Sequence, residues 1–255
     1  MIIAVANQKG GVGKTTTTAA LAVGLARLGY RVLAVDVDPQ ANLTTTLGID
    51  EEAAARRPNL FTVLERMDRL DDAITEAAGG VQLVPSYIAL AHSERRLQSQ
   101  MDRERILRRL LEPVLPKYDV VLLDSPPSLG LFAYNCLGAC DTVLSPIQCE
   151  PLAMDGLTML LETLAEVREC GLNPRCELGG AVLTMYDARR NVDKRVMTTI
   201  REALGLTAFE TVIPRDVRLV EMTERGDVSV LDGDSAGAVA YRKLAQEVAQ
   251  RWLTS

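Results

Sequence analysis

The chain has 255 residues, 47% hydrophobic and 24% charged, with a formal net charge of −6. This length allows one large domain or two small ones, and the composition supports a sizeable core without disulfide or metal staples. The acidic balance excludes nucleic-acid binding through overall charge, so any such role must come from a local patch.

The first apolar run, Ile2 to Ala6, reads as a buried strand. It begins directly after Met1, so no signal peptide is expected. No stretch approaches the ~18 apolar residues that would cross a bilayer. A soluble, cytoplasmic chain is therefore expected. Next comes Asn7-Gln8-Lys9-Gly10-Gly11-Val12-Gly13-Lys14-Thr15-Thr16, and then Thr15 to Leu28 with apolar residues at helical spacing and Gly29 as C-cap. Strand, glycine turn and helix is the context in which a phosphate-cradling loop is credible. Gly10, Gly11 and Gly13 let successive backbone N–H groups, that of Val12 among them, converge on an anion at a helix N-terminus. Lys14 is then placed to reach the β/γ-phosphates, with the Thr15 hydroxyl on Mg²⁺ and Thr16 beside it. The ordinary pattern G-x-x-x-x-G-K-[ST] requires glycine at position 8. Here that residue is Gln8, and a second lysine, Lys9, lies inside the loop.

Arg31 to Val35 is a second apolar strand ending in Asp36-Val37-Asp38-Pro39-Gln40. In a parallel sheet it delivers Asp36 and Asp38 beside the phosphate loop, although Asp and Pro also end strands routinely. Glu51 to Arg57 reads as a polar surface connection, Leu60 to Met67 as a short helix and Val81 to Val84 as a short strand. Leu90 to Leu111 reads as one long charged helix with Leu97, Met101, Ile106 and Leu110 as its apolar stripe. Tyr118 to Leu123 is a fully buried central strand ending in Asp124, the arrangement whose carboxylate holds the Mg²⁺ hydration shell. Three strand–helix units follow: Thr142 to Ile147 with Met154 to Cys170, Leu178 to Met185 with Asn191 to Leu204, and Phe209 to Ile213 with the segment from Pro214. A last helix, Ala236 to Leu253, has an apolar stripe of Val239, Leu244, Val248 and Trp252. With no composition break or repeat, residues 1–255 read as a single α/β domain, a mostly parallel sheet with helices on both faces. The five cysteines (Cys136, Cys140, Cys149, Cys170 and Cys176) lack C-x-x-C spacing, and His92, the only histidine, cannot complete a zinc set.

The run Lys9 to Thr15, with its extra lysine, resembles the deviant Walker A box of the ParA/MinD superfamily of P-loop NTPases. Asp36 to Asn42 resembles the second box of the ParA branch, and Asp124 to Gly130 its Walker B. Thr184 to Arg189 and Ile213 to Leu219 look like the ParA/Soj C-terminal motifs, so the likeness spans essentially the whole chain. It implies an ATPase using ATP/ADP and Mg²⁺ that forms a homodimer on binding ATP. It implies that Lys9 is the signature lysine reaching the partner's nucleotide, that Asp38 activates the attacking water, that Thr15, Asp38 and Asp124 serve the metal, and that Pro214 and Asp216 hold the adenine and ribose end. It further implies nucleoid association through non-specific double-stranded DNA, a ParB-type activator and no membrane. The local cluster Arg189, Arg190, Lys194, Arg195 and Arg201, with Arg215 and Arg218, is the expected DNA face. A solvated helix face is the alternative reading of those charges, and Gly226 to Ser235 is acidic where a basic loop is usual. The same switch could position another cargo. A MinD-like membrane-surface role would need the last helix free to enter lipid, and a cluster-binding redox role would need paired cysteines.

Overall fold

The computed structural model describes residues 1–66, 69–97 and 100–254, with Arg95 by its backbone only. Along β1 (Ile2–Val5) the side chains alternate: Ile3 and Val5 join the core on one face of the sheet, Ile2 and Ala4 the core on the other. Burial on both faces is why this strand, like β2 (Val32–Asp36) and β5 (Val120–Asp124), is apolar without a break. The remaining strands are β3 (Thr75–Ala77), β4 (Val81–Val84), β6 (Thr142–Gln148), β7 (Leu178–Tyr186) and β8 (Ala208–Pro214). They form one eight-stranded sheet in the order β3-β4-β2-β5-β1-β6-β7-β8. Every pairing is parallel except β3 with β4, a short antiparallel edge that no sequence pattern announced.

The helices are α1 (Lys14–Arg27), α2 (Asn42–Thr46), α3 (Glu51–Arg56), α4 (Leu60–Arg66), α5 (Leu90–Leu97), α6 (Ile106–Leu111), α7 (Leu131–Ala139), α8 (Ala153–Glu169), α9 (Asn191–Leu204), α10 (Val217–Arg225) and α11 (Ala236–Val248). Helices α1, α2, α10 and α11 cover one face and α4 to α8 the other, with α9 packing on β7 through Ile200. β1 and β5 are neighbours, and the crossover from β1 runs to β2 on one side while that from β5 runs to β6 on the other, so the two leave this point of the sheet in opposite directions. The crevice beyond the carboxyl ends at such a switch point is where α/β sheets bind ligands.

Three expectations are corrected, and one helix is added. The long helix from Leu90 to Leu111 is two helices, α5 and α6. Asp102 takes a left-handed φ of 54° between them, and Met101 is 90% exposed rather than part of a stripe. The periodicity runs through the break because Leu97 and Ile106 enter the same core. The polar stretch from Glu51 is helix α3, started by Asp50, whose carboxylate accepts from the Ala53 N–H at 2.7 Å. Helix α7, directly after the Asp124 strand, was not expected; Phe132, Ala133, Cys136 and Leu137 are buried, which blurs any amphipathic pattern. The last helix changes at Ala249–Leu253 to a π-type turn. The short helix expected to end at Met67 is described only as far as Arg66, Met67 lying outside the described residues.

The apolar side of α11 is consumed inside the fold. Tyr241, Leu244 and Val248 are buried, Trp252 meets Phe209 edge-on with centroids 5.5 Å apart, and Arg251 lies 4.4 Å over the same ring. That packing leaves no free apolar face on this helix for a lipid surface. Among the described residues no helix is long and apolar enough to cross a membrane.

Candidate nucleotide site

Parallel pairing places Asp36 opposite Asp124, and Asp124 opposite Val5, so two carboxylates end their strands beside the loop that leaves β1. Neighbouring elements grip that loop. Asn7 Nδ2 donates to the Pro146 carbonyl at 2.8 Å and to Ser145 Oγ at 3.3 Å on β6, while Asn7 Oδ1 accepts from the Lys9 N–H at 2.9 Å. Thr184 Oγ1 on β7 donates to the Val12 carbonyl at 2.8 Å, so Val12, buried to 1% exposure, contributes to the site through its backbone. Gly11 and Gly13 hold φ of 75° and 91°, which a side chain resists. Gln8, where the common pattern has glycine, sends its amide to α8, donating to the Met159 carbonyl at 3.0 Å and to Thr163 Oγ1 at 2.6 Å. The missing glycine thus becomes an anchor between loop and helix.

The charged groups are largely dry. Lys14 is 7% exposed and its Nζ donates to the Lys9 carbonyl at 3.1 Å. Burial lowers its pKa, opposed by the carboxylates of Asp124 and Asp38. Asp124 is fully buried and accepts from Thr15 Oγ1 at 2.8 Å and Thr18 Oγ1 at 2.9 Å. Burial pushes its pKa up to about 7, with the two threonine hydroxyls pulling the other way. Asp36, also fully buried, accepts from the N–H and hydroxyl of Thr44 at 2.8 and 2.7 Å and from the Asp38 N–H at 3.2 Å. Burial and the adjacent Asp124 raise its pKa well above the usual carboxylate range. Neither Asp36 nor Asp124 reaches the open space; Asp38 does.

That space is a cavity of about 480 Å³ lined by Gly10, Gly11, Gly13, Lys14, Thr15, Thr16 and Asp38, closed by Asn42, Thr45 and Thr46 of α2 and by Thr223 and Glu224 of α10. Past Gly13, Thr16, Met185 and Thr223 it meets a narrower pocket of about 150 Å³ lined by Ile213, Pro214, Asp216, Val220 and Tyr241. Tyr241 and Thr17 share a hydrogen bond of 3.0 Å at its floor. Met185 takes a left-handed φ of 54° at the junction, a conformation non-glycine residues hold only where their surroundings impose it. Asp216 lines the pocket but has both oxygens occupied. Oδ1 accepts from the Arg218 N–H at 3.0 Å and Oδ2 from the Gly237 N–H at 2.9 Å, so one carboxylate caps α10 and α11 together.

The structure thus gathers Gly10, Gly11, Gly13, Lys14, Thr15, Thr16 and Asp38 around one cavity, with Asp124 behind Thr15 and with Pro214 and Asp216 in the adjoining pocket. Lys9 is not among the lining residues; its ammonium pairs with the Glu150 carboxylate just beyond β6. Sequence reasoning missed Thr18, Asn42, Thr45, Thr46, Met185, Thr223 and Glu224. Thr18 had a signal, one helical turn after Lys14 on the same face. Asn42 had one too, as the last residue of the box that begins at Asp36; the other α2 and α10 residues had none, because they arrive from opposite ends of the chain.

The candidate basic face is divided. Arg189 is held by Asp187 through Nε at 3.0 Å and Nη2 at 2.9 Å. Arg190 lies 3.4 Å from the buried Asp193, and Arg201 donates to the Glu210 carbonyl at 2.9 Å. Lys194 and Arg195 on α9 are exposed and make no ion pair among the described residues. Arg215 and Arg218 are exposed, and the Arg215 N–H donates to the Tyr186 carbonyl at 3.1 Å, which brings them to the edge where α9 begins. The acidic segment after α10 is pinned by Arg242, whose Nη1 donates to the carbonyls of Leu231 and Gly233 at 2.6 and 2.7 Å, and by the Arg27–Asp232 pair at 2.8 Å.

Residues 1–178 match the family model described as AAA domain. The chain is 42% identical to the sporulation initiation inhibitor protein Soj of Bacillus subtilis over 97% of its own length and 98% of that protein's. It is likewise 42% identical to the chromosome partitioning protein ParA of Caulobacter vibrioides, covering 98% of this chain and 94% of that one. Among solved structures, the fold superposes with a TM-score of 0.84 at 36% identity on one titled cobyrinic acid a,c-diamide synthase from Mycobacterium smegmatis with bound ADP and magnesium, covering 98% of this chain and 94% of that one.

Proposed function

The chain belongs to the ParA/Soj family of P-loop ATPases, and from that premise we propose that it is a switch in which ATP brings two copies together and the pair holds DNA. As a family member it is an ATPase whose ligands are ATP or ADP and Mg²⁺. The residues present fit those ligands. The glycine loop opens onto the N-terminus of a 14-residue helix, a lysine lies at its base, and Asp124 lies behind the Thr15 hydroxyl. When bound, Mg²⁺ supplies neutralisation of charge on the β- and γ-phosphates.

In our reading Gly10, Gly11, Val12 and Gly13 cradle the phosphates through backbone N–H groups. Lys14 turns from the Lys9 carbonyl to the β/γ-phosphates, and Thr16 joins the phosphate contacts. Thr15 and Asp124 would hold the hydrated Mg²⁺, and Asp38 would be a further carboxylate facing it. Asp38, which unlike Asp36 lines the cavity, positions the attacking water and takes its proton. The base enters the pocket bounded by Pro214 and Asp216, where Asp216 acts by holding the two helix ends that wall it. Lys9 is the cation that completes the site of a second copy, a lysine counterpart of an arginine finger. The observation carrying the proposal is the division of lysines: Lys14 lines the cavity and Lys9, five residues away, is turned out of it.

Lys194, Arg195, Arg215 and Arg218 would contact DNA phosphates without reading sequence. With a ParB-type activator stimulating hydrolysis, such a switch segregates chromosome or plasmid DNA from a nucleoid-associated cytoplasmic pool. DNA retention measured with ATP, ADP and no nucleotide, at several salt concentrations, tests the proposal. ATP-specific, salt-sensitive retention is expected; equal retention in all three states would refute it.

A further inference from the structure

Glu150 has no part in the nucleotide cavity, yet its Oε1 is buried. The group that compensates it is the Lys9 ammonium, and the two side chains remain 37% and 27% exposed. Both backbones are fixed before they meet. The Lys9 N–H is held by Asn7 Oδ1 at 2.9 Å. The Glu150 N–H donates to the Gln148 carbonyl at 2.9 Å, and its own carbonyl accepts from the Ala153 N–H at 3.0 Å. A carboxylate held on a tight turn, facing a lysine held on the phosphate loop, is a preorganised anionic seat. We propose that Glu150 is a positioning residue that parks Lys9 within its own chain until a second copy offers phosphate oxygens in exchange.

This rests on the reading of Lys9 as an intersubunit cation. The exchange is one anion for another at an ammonium, with no bond broken and no proton moved. It sets a threshold for association, because each protomer gives up one internal pair. A half-exposed pair holds its partner by a factor of about 1.5 to 5. Two pairs released together change the association constant by about two- to twenty-five-fold.

The test has two arms, both on the full chain. In the first, nucleotide-free protein is treated with an amine acylating reagent, and Lys9 modification is followed by mass spectrometry against Lys194 and Lys243. Lys9 is expected to react about 1.5- to fivefold faster in Glu150→Gln than in the unaltered chain, and Glu150→Asp is expected to restore the slow rate. Equal rates in all three proteins overturn the proposal. In the second, ATP-dependent self-association is measured by sedimentation. Tighter association of Glu150→Gln within the stated range supports parking, and unchanged or weaker association overturns it. Lys9→Ala separates the two ideas. If it retains full ATP-dependent association and hydrolysis, the intersubunit reading fails whatever the labelling shows. If hydrolysis is lost while Glu150→Gln labels like the unaltered chain, only the parking role fails.

Discussion

Asp124→Asn is expected to make the nucleotide-free protein more stable at neutral pH while abolishing its Mg²⁺-dependent chemistry. Asp124 is fully buried and its pKa rises from 3.8 to about 7. At ~1.4 kcal/mol per unit this is a penalty of about 4 kcal/mol on the ionised carboxylate in the folded state. The folded chain keeps this proton to higher pH than the unfolded chain does, so more protons are bound in the native state between about pH 4 and 7. Unfolding free energy therefore falls as pH rises through that window. About 3 kcal/mol of the loss lies between pH 5 and 8 by the same relation. Asparagine imitates the neutral acid. Its amide donates where the protonated carboxyl would, and the Thr15 and Thr18 hydroxyls accept or donate as required. Asp36 loses the neighbouring Asp124 charge in the variant, so the difference between the two proteins reports the titration of the Asp36–Asp124 pair rather than of one carboxylate. Urea unfolding of both at pH 5 and pH 8, in chelator and without nucleotide, measures this. Stability of the unaltered chain should fall by about 3 kcal/mol more than that of the variant. Parallel losses would refute the account of Asp124 as a carboxylate held ready, at a cost, for a metal's positive charge.

Asp38→Ala should reduce ATP hydrolysis by at least about a hundredfold with nucleotide binding kept, since a positioned base contributes on that scale; single-turnover assays beside nucleotide affinity check it. Arg195→Ala should weaken DNA retention and reduce the slope of log affinity against log salt by about 1. Arg189→Ala should change that slope far less, because Asp187 already neutralises Arg189, and salt titrations of both variants decide the matter. Gly226→Ala should cost about 2 kcal/mol or more, because φ there is 65° and a Cβ would stand 2.5 Å from the Thr45 carbonyl. As that contact joins α10 to α2 across the cavity, ATP affinity should fall with stability, to be read by unfolding and by nucleotide titration.

The site was legible where its residues are neighbours in sequence. The glycine loop, Lys14 and Thr15 lie on one strand–turn–helix unit, and local conformation alone brings them together. Asp124 could be placed because four apolar residues preceding a terminal acid mark a buried strand, whose carboxyl end points to the ligand side of any parallel sheet. Asp36 and Asp38 mark the limit of that reasoning. Spacing by two puts both on one face of an extended strand, but β2 ends at Asp36 and the turn beyond it sends only Asp38 into the cavity. Asp216 marks it too, since its capping of α11 spans 21 positions.

The long helix from Leu90 failed for a related reason: one apolar face serves two helices as well as one, so periodicity cannot report a break that leaves the buried side unchanged. The amino-acid sequence by itself determined the parallel strands, their burial and the phosphate loop, because those depend on local backbone preference and hydrophobic period. Only the tertiary structure decided which partners those residues have: Lys9 with Glu150, Gln8 with α8, Arg189 with Asp187, and α2 facing α10. Strand order and register bring these segments together, and most of the pairs join residues that local spacing does not relate.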